Sequence, residues 1–121
     1  APLVTLMQQD SALVRTLREA LAAVKGIEVA LVFGSVARGA EGAASDIDLL
    51  VLGTASELKL NAALKPAGRA LGRAVHATAS TIESFKNQLR GGESFALGVV
   101  QGPRIALVGG LDAAILSAPG H

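Results

Sequence analysis

The sequence contains no cysteine, no tyrosine and no tryptophan. Without cysteine there is no disulfide scaffold, no thiolate zinc site and no cysteine nucleophile. That fits a reducing compartment, and a cytoplasmic location is the expectation. Without tyrosine and tryptophan the usual stacking platforms for bases are missing. An excess of either charge is also lacking: 11 basic residues face 10 acidic ones, for a net charge of +1. This balance makes no electrostatic case for non-specific DNA or membrane binding, so this domain is expected to have no direct nucleic-acid partner. No apolar run approaches the roughly 18 residues of a membrane span, and no signal peptide is visible. The first residue is Ala1 and not Met, which reads as processing or an upstream truncation.

Half of the residues are apolar, which makes the chain globular rather than disordered. A length of 121 residues suits one domain, expected over 1–121 with its core at about 11–108. Leu13, Leu17, Leu21 and Val24 recur at helical spacing. They predict a helix over 11–24 with Ser11 as N-cap and Gly26 as stop. This leucine stripe has two readings, a core face or a homodimer face. Runs 28–33 and 47–52 read as strands, the second apolar on both faces after Asp48 and therefore central. Leu60, Leu64, Ala67 and Leu71 predict a helix over 56–72 that Pro66 should kink or split. A strand over 74–80, a helix capped by Thr81 and stopping at Gly91, a short helix over 94–101 and a strand over 104–108 follow. Residues 109–121 are small and read as a loose end. The fold class is α/β with α+β character: a small mixed sheet with helices packed on it.

The segment 35–45 between the first two strands has 11 residues, and a parallel crossover needs a dozen or more. These strands are therefore expected to be antiparallel, with Gly34-Ser35 at the end of one beside Asp46 and Asp48 at the start of the next. The 56–72 helix is long enough to return the third strand parallel to the second, which brings His76 close as well.

Asp46 and Asp48 stand at i and i+2, a spacing that turns both carboxylates to one face of a strand, their α-carbons roughly 6.6 Å apart. Such a pair can grip Mg²⁺, a hard cation that prefers carboxylate and phosphate oxygens, or share two such ions. Gly34 lets the backbone approach phosphate oxygens closely. Ser35 offers a hydroxyl and an amide at the start of a helical turn expected at 36–38. Arg38 is either a fork donor to the same phosphates or an exposed surface charge. Glu41, Arg69, Arg73, Lys86 and Arg90 read as solvated helix and loop faces. His76 is either a metal ligand or base, or a partly buried strand histidine.

The run Gly34-Ser35-Val36-Ala37-Arg38-Gly39, followed by Ser45-Asp46-Ile47-Asp48-Leu49, resembles the signature of the minimal nucleotidyltransferase domains of the DNA polymerase β superfamily. The resemblance covers about residues 11–108. It implies the nucleotidyltransferase fold, Mg²⁺, and a nucleoside triphosphate, usually ATP, as substrate. It further implies that Asp46 and Asp48 are catalytic metal ligands and that Gly34, Ser35, Arg38 and Gly39 hold the triphosphate. Active members usually carry a third carboxylate on the next strand; here that position falls at His76, with no Asp or Glu from Arg69 to Ile82. A narrower similarity, carried by Gly72-Arg73-Ala74-Val75-His76, Phe85, Leu89, Phe95 and Pro103-Arg104-Ile105, is to nucleotidyltransferase domains fused behind a winged helix.

Three functions follow as expectations. The first is a Mg²⁺-dependent enzyme that moves a nucleoside monophosphate, AMP from ATP, to an unknown acceptor such as a protein. The second is a non-catalytic nucleotide-binding domain of a transcription regulator. The third is an antitoxin of the minimal nucleotidyltransferase type acting on a helical, HEPN-like toxin.

Overall fold

Four apolar runs form a sheet in the order β3-β2-β1-β4, with β1 Ile27–Phe33, β2 Ile47–Gly53, β3 Val75–Ser80 and β4 Ile105–Val108. The structure, a computed structural model, describes residues 2–34, 37 and 46–116, with the backbone alone for residues 2–11. Strand β1 runs antiparallel to β2 and β4, and β2 runs parallel to β3. Both expected pairings therefore hold. β2 is interior, as its two-sided apolar pattern requires.

Alternation along the strands divides the core between the two faces. Ala30, Val32, Ile47, Leu49 and Val51 point to one side. There they meet Leu17 and Leu21 of helix α1 (Pro2–Leu21) and Leu60, Leu64 and Ala67 of helix α2 (Glu57–Leu71). Val29, Leu31, Leu50 and Leu52 point to the other side. That side is covered by helices α3 (Ile82–Arg90), α4 (Ser94–Gln101) and α5 (Leu111–Leu116), through Phe85, Ala96, Val99 and Leu111. The leucine stripe of α1 is thus consumed in the core: Leu17 and Leu21 are fully buried.

Local chemistry accounts for the ends of the elements. Ser56 accepts a hydrogen bond from the Lys59 amide at 3.2 Å, and Thr81 accepts one from the Ser84 amide at 3.0 Å, so each caps its helix. Gly53 adopts φ +146° at the end of β2, and a Cβ there would lie 2.1 Å from the Gly26 carbonyl oxygen. Only glycine lets the two strand ends close that tightly.

Several expectations are corrected. Helix α1 begins at Pro2, so Ser11 lies inside it and is no cap. Leu3, Leu6 and Met7 continue the helical spacing N-terminally, and Pro suits a first helical position. Helix α2 runs unbroken through Pro66. Pro66 and Ala62 are both exposed, so the carbonyl left without a partner faces water, while Leu60, Leu64 and Ala67 pin both halves of the helix to the sheet. Residues Leu111–Leu116 form a helix where a loose end was expected. Leu111 anchors it in the core, and Asp112 in its first turn meets Arg104 at 2.7 Å. Arg104 precedes β4 and is not part of it; its guanidinium donates to the Val100 carbonyl at 2.7 Å, at the C-terminal end of α4. Lys86 is buried and not solvated.

The sheet's outer strands are tied to the helices by side chains. On β3, Ala77 donates its amide to Asn61 Oδ1 at 3.0 Å, and Asn61 Nδ2 returns a bond to the Ala77 carbonyl at 3.2 Å. The Ala79 amide donates to Glu57 Oε2 at 2.9 Å. On β4, Arg18 Nε donates to the Leu107 carbonyl at 2.8 Å. Among the described residues no helix is long and apolar enough to cross a membrane.

Candidate functional site

Asp48 is the second residue of β2, half-buried, with Phe33 of β1 opposite it on one side and His76 of β3 on the other. Its parity puts it on the face that Leu50 and Leu52 present to α3, α4 and α5. Those helices cover the centre of the sheet but leave β3 open on this side, where His76 and Thr78 are exposed. The result is a shelf: polar β3 residues on one flank, Asp48 in the middle and Phe33 on the other flank.

Asp46 precedes β2 and has the same parity, so its carboxylate belongs to the same shelf. Its side chain is 58% exposed and lies 3.4 Å from His76 Nε2. Gly34 follows β1 with φ +80°, a left-handed conformation that strongly favours glycine. A Cβ on Gly34 would stand 3.5 Å from Asp48 Oδ2. The backbone at Gly34 therefore lies directly beside the second carboxylate, as the antiparallel pairing predicts. Ala37 is half-buried and packs against the core shared by α1 and α2. Ser35, Arg38 and Gly39, and the rest of the turn expected at 36–38, lie outside the described residues.

The structure thus gathers Gly34, Asp46, Asp48 and His76 at one end of the sheet. Among the described residues, no group of three or more His, Cys, Asp or Glu side chains converges to hold a metal ion. Two neighbouring, solvent-reached carboxylates suit Mg²⁺ of the kind held by one or two carboxylates plus substrate phosphates, not an ion in an all-protein cage. The donor set therefore fits the cation, with open coordination positions left for a ligand's oxygens.

Two aromatic residues, Phe33 opposite Asp48 and Phe95 against Phe33, drew no attention as site residues in the sequence. Phe33 and Phe95 meet in an edge contact, ring centroids 5.5 Å apart and planes at 83°. Phe95, the second residue of α4, stays 41% exposed. No periodic signal marks it, because α4 is too short to show one. A separate cleft of about 540 Å³, lined by Lys65, Arg69 and Arg73, opens beside α2 and the start of β3. It includes Leu64 and Val75, and so belongs to the α1–α2 face of the sheet, away from Asp48.

No curated protein matches the chain. A chain from a crystal structure of a toxin-antitoxin with AMP-PNP has a similar fold, with a TM-score of 0.57 at 16% identity, over 85% of this chain and 78% of that one. At this identity the likeness is one of fold. The family model for polymerase beta nucleotidyltransferases matches residues 15–77, more than half of the chain, and this span contains β1, β2, the start of β3 and every site residue expected from the sequence. The chain therefore belongs to the polymerase beta nucleotidyltransferase family.

Proposed function

We propose that this domain binds a Mg²⁺–nucleoside triphosphate at the shelf and transfers the nucleoside monophosphate, AMP from ATP, to an acceptor. The observation that carries this reading is the placement of Gly34, in its left-handed conformation, against Asp48, with Asp46 on the same face. Asp46 and Asp48 would hold the cation, which supplies charge neutralisation at the phosphate oxygens when bound. Gly34 keeps the turn free of a side chain where phosphate oxygens approach. Ser35, Arg38 and Gly39 are proposed to complete the triphosphate cradle. In the transfer, an acceptor oxygen bonds to the α-phosphorus, pyrophosphate leaves, and the acceptor's proton must go to a base. His76, 3.4 Å from Asp46, is proposed to take it.

One observation favours a second reading. The residue paired with Asp48 on β3 is His76, where active relatives usually place a carboxylate. A domain that binds nucleotide without transferring it, as in a regulator fused to a winged helix, is consistent with that replacement. The antitoxin reading draws its support from the fold likeness to a toxin-antitoxin chain studied with a nucleotide analogue.

Isothermal titration with ATP, GTP, CTP and UTP, with and without Mg²⁺, tests the shared premise. Binding is expected only with Mg²⁺, and Asp46→Asn combined with Asp48→Asn should abolish it while the far-ultraviolet circular dichroism stays unchanged. Equal binding by the double variant would sink the metal-site assignment. Release of pyrophosphate from ATP in the presence of an acceptor separates the transferase from the sensor.

A further inference from the structure

The chain has three phenylalanines, and their environments differ. Phe85 is fully buried in the core. Phe33 is half-buried and sits opposite Asp48. Phe95 is 41% exposed although it belongs to a helix that the neighbouring Ala96 and Val99 already anchor, both of them buried. Anchoring α4 therefore does not account for a large ring at position 95.

Its location does. Opposed residues of an antiparallel pair carry their Cβ atoms about 5 Å apart on one face, so the Phe33 ring and the Asp48 carboxylate are immediate neighbours. The Phe95 ring touches the Phe33 ring, their centroids 5.5 Å apart. An edge contact occupies at most one face of the Phe95 ring. An accessible aromatic surface thus lies one ring contact away from the residue that faces Asp48 across the β1–β2 pair.

We propose that Phe95 is the stacking platform for the nucleobase, with Phe33 buttressing it from the strand. This inference rests on the reading of Asp46 and Asp48 as the site of a Mg²⁺–nucleoside triphosphate. It identifies the part of the ligand that lies against α4 and sets the base selectivity. Stacking accepts every base because each has a π-face. The domain should therefore bind all four nucleoside triphosphates, the larger purines more tightly, and discriminate weakly among them.

Two probes separate this inference from the site on which it rests. Mg²⁺–tripolyphosphate tests the carboxylate site alone, and Mg²⁺–ATP tests the site plus the base. Phe95→Ala should weaken ATP binding roughly 5- to 150-fold, the worth of one base–aromatic stack, and leave tripolyphosphate binding unchanged. Phe95→Leu keeps apolar bulk on α4 without a ring, and should show the same selective loss. Phe95→Trp places a single tryptophan in the chain, and its fluorescence should be quenched by ATP and not by tripolyphosphate. ATP affinity in Phe95→Leu equal to that of the unaltered chain, with tripolyphosphate still bound, would overturn the platform while leaving the carboxylate site standing. Failure of the unaltered chain to bind either ligand would overturn the carboxylate reading, and the platform with it.

Discussion

His76 is the residue that divides the proposed transfer from nucleotide binding alone. It pairs with Asp48 in the β2–β3 register, and its imidazole reaches to 3.4 Å from the Asp46 carboxylate. Replacing it by a carboxylate would put three acidic groups on one exposed shelf. Without a cation these repel, and with a divalent cation each adds a hard oxygen ligand. His76→Asp is therefore expected to lower the melting temperature in chelator and to restore it with Mg²⁺. The Mg²⁺-dependent rise should be larger than in the unaltered chain, since a cation that binds only the folded state stabilises it in proportion to its affinity. Thermal melts at several Mg²⁺ concentrations measure this, and an identical Mg²⁺ response in the two proteins would show that position 76 does not face the cation. Gly34, Asp46, Asp48 and His76 were all legible as a group, because a two-residue spacing and two connection lengths determine which strand ends meet. Phe95 was not: its meaning depends on a contact with Phe33, 62 positions away in the sequence, which no local pattern encodes.

Among the elements, the legible ones were those with a repeated apolar spacing, a cap or flanking breakers, as Gly91-Gly92 and Gly102-Pro103 bound α4. Helices α2 and α3 and strands β1, β2 and β3 fall within a residue or two of their expected positions, since each has several buried side chains or a cap to define it. Helix α5 escaped notice because six residues hold less than two turns, too little for a period to emerge. Pro66 misled because its cost depends on whether the orphaned carbonyl faces water, and that is set by the tertiary structure. Asn61 shows how much an element can depend on one side chain. It satisfies both backbone groups of Ala77 on the outer side of β3. Asn61→Ala would leave a partly buried amide and carbonyl without that partner, and should cost about 1–3 kcal/mol. Urea denaturation followed by circular dichroism checks this, and a loss under a few tenths of a kcal/mol would mean that water replaces the amide without penalty.

At the scale of the whole molecule, strands β1 and β2 belong to both cores at once. Val29 and Leu31 face one set of helices, while Ala30 and Val32 of the same strand face the other. Damage to either face should therefore be felt by both. Phe85→Ala removes a fully buried ring from the α3–α5 side and should destabilise by about 3–5 kcal/mol. Amide exchange in α2, on the opposite face, should accelerate in step with exchange in α3. Unchanged protection of α2 would mean that the two cores unfold separately.

The side chains that close the two outer strands also constrain how this domain meets other proteins. With the α2 side chains Asn61 and Glu57 bonded to the backbone of β3 and the α1 side chain Arg18 bonded to that of β4, the sheet offers little template for an added strand, whether from a partner's extended peptide or from a second copy of the chain. An acceptor protein would then have to bring its reactive group to the open shelf through contacts among side chains and helices. Recognition of that kind selects a folded partner by its shape, and disfavours capture of whatever unfolded segment happens to pass.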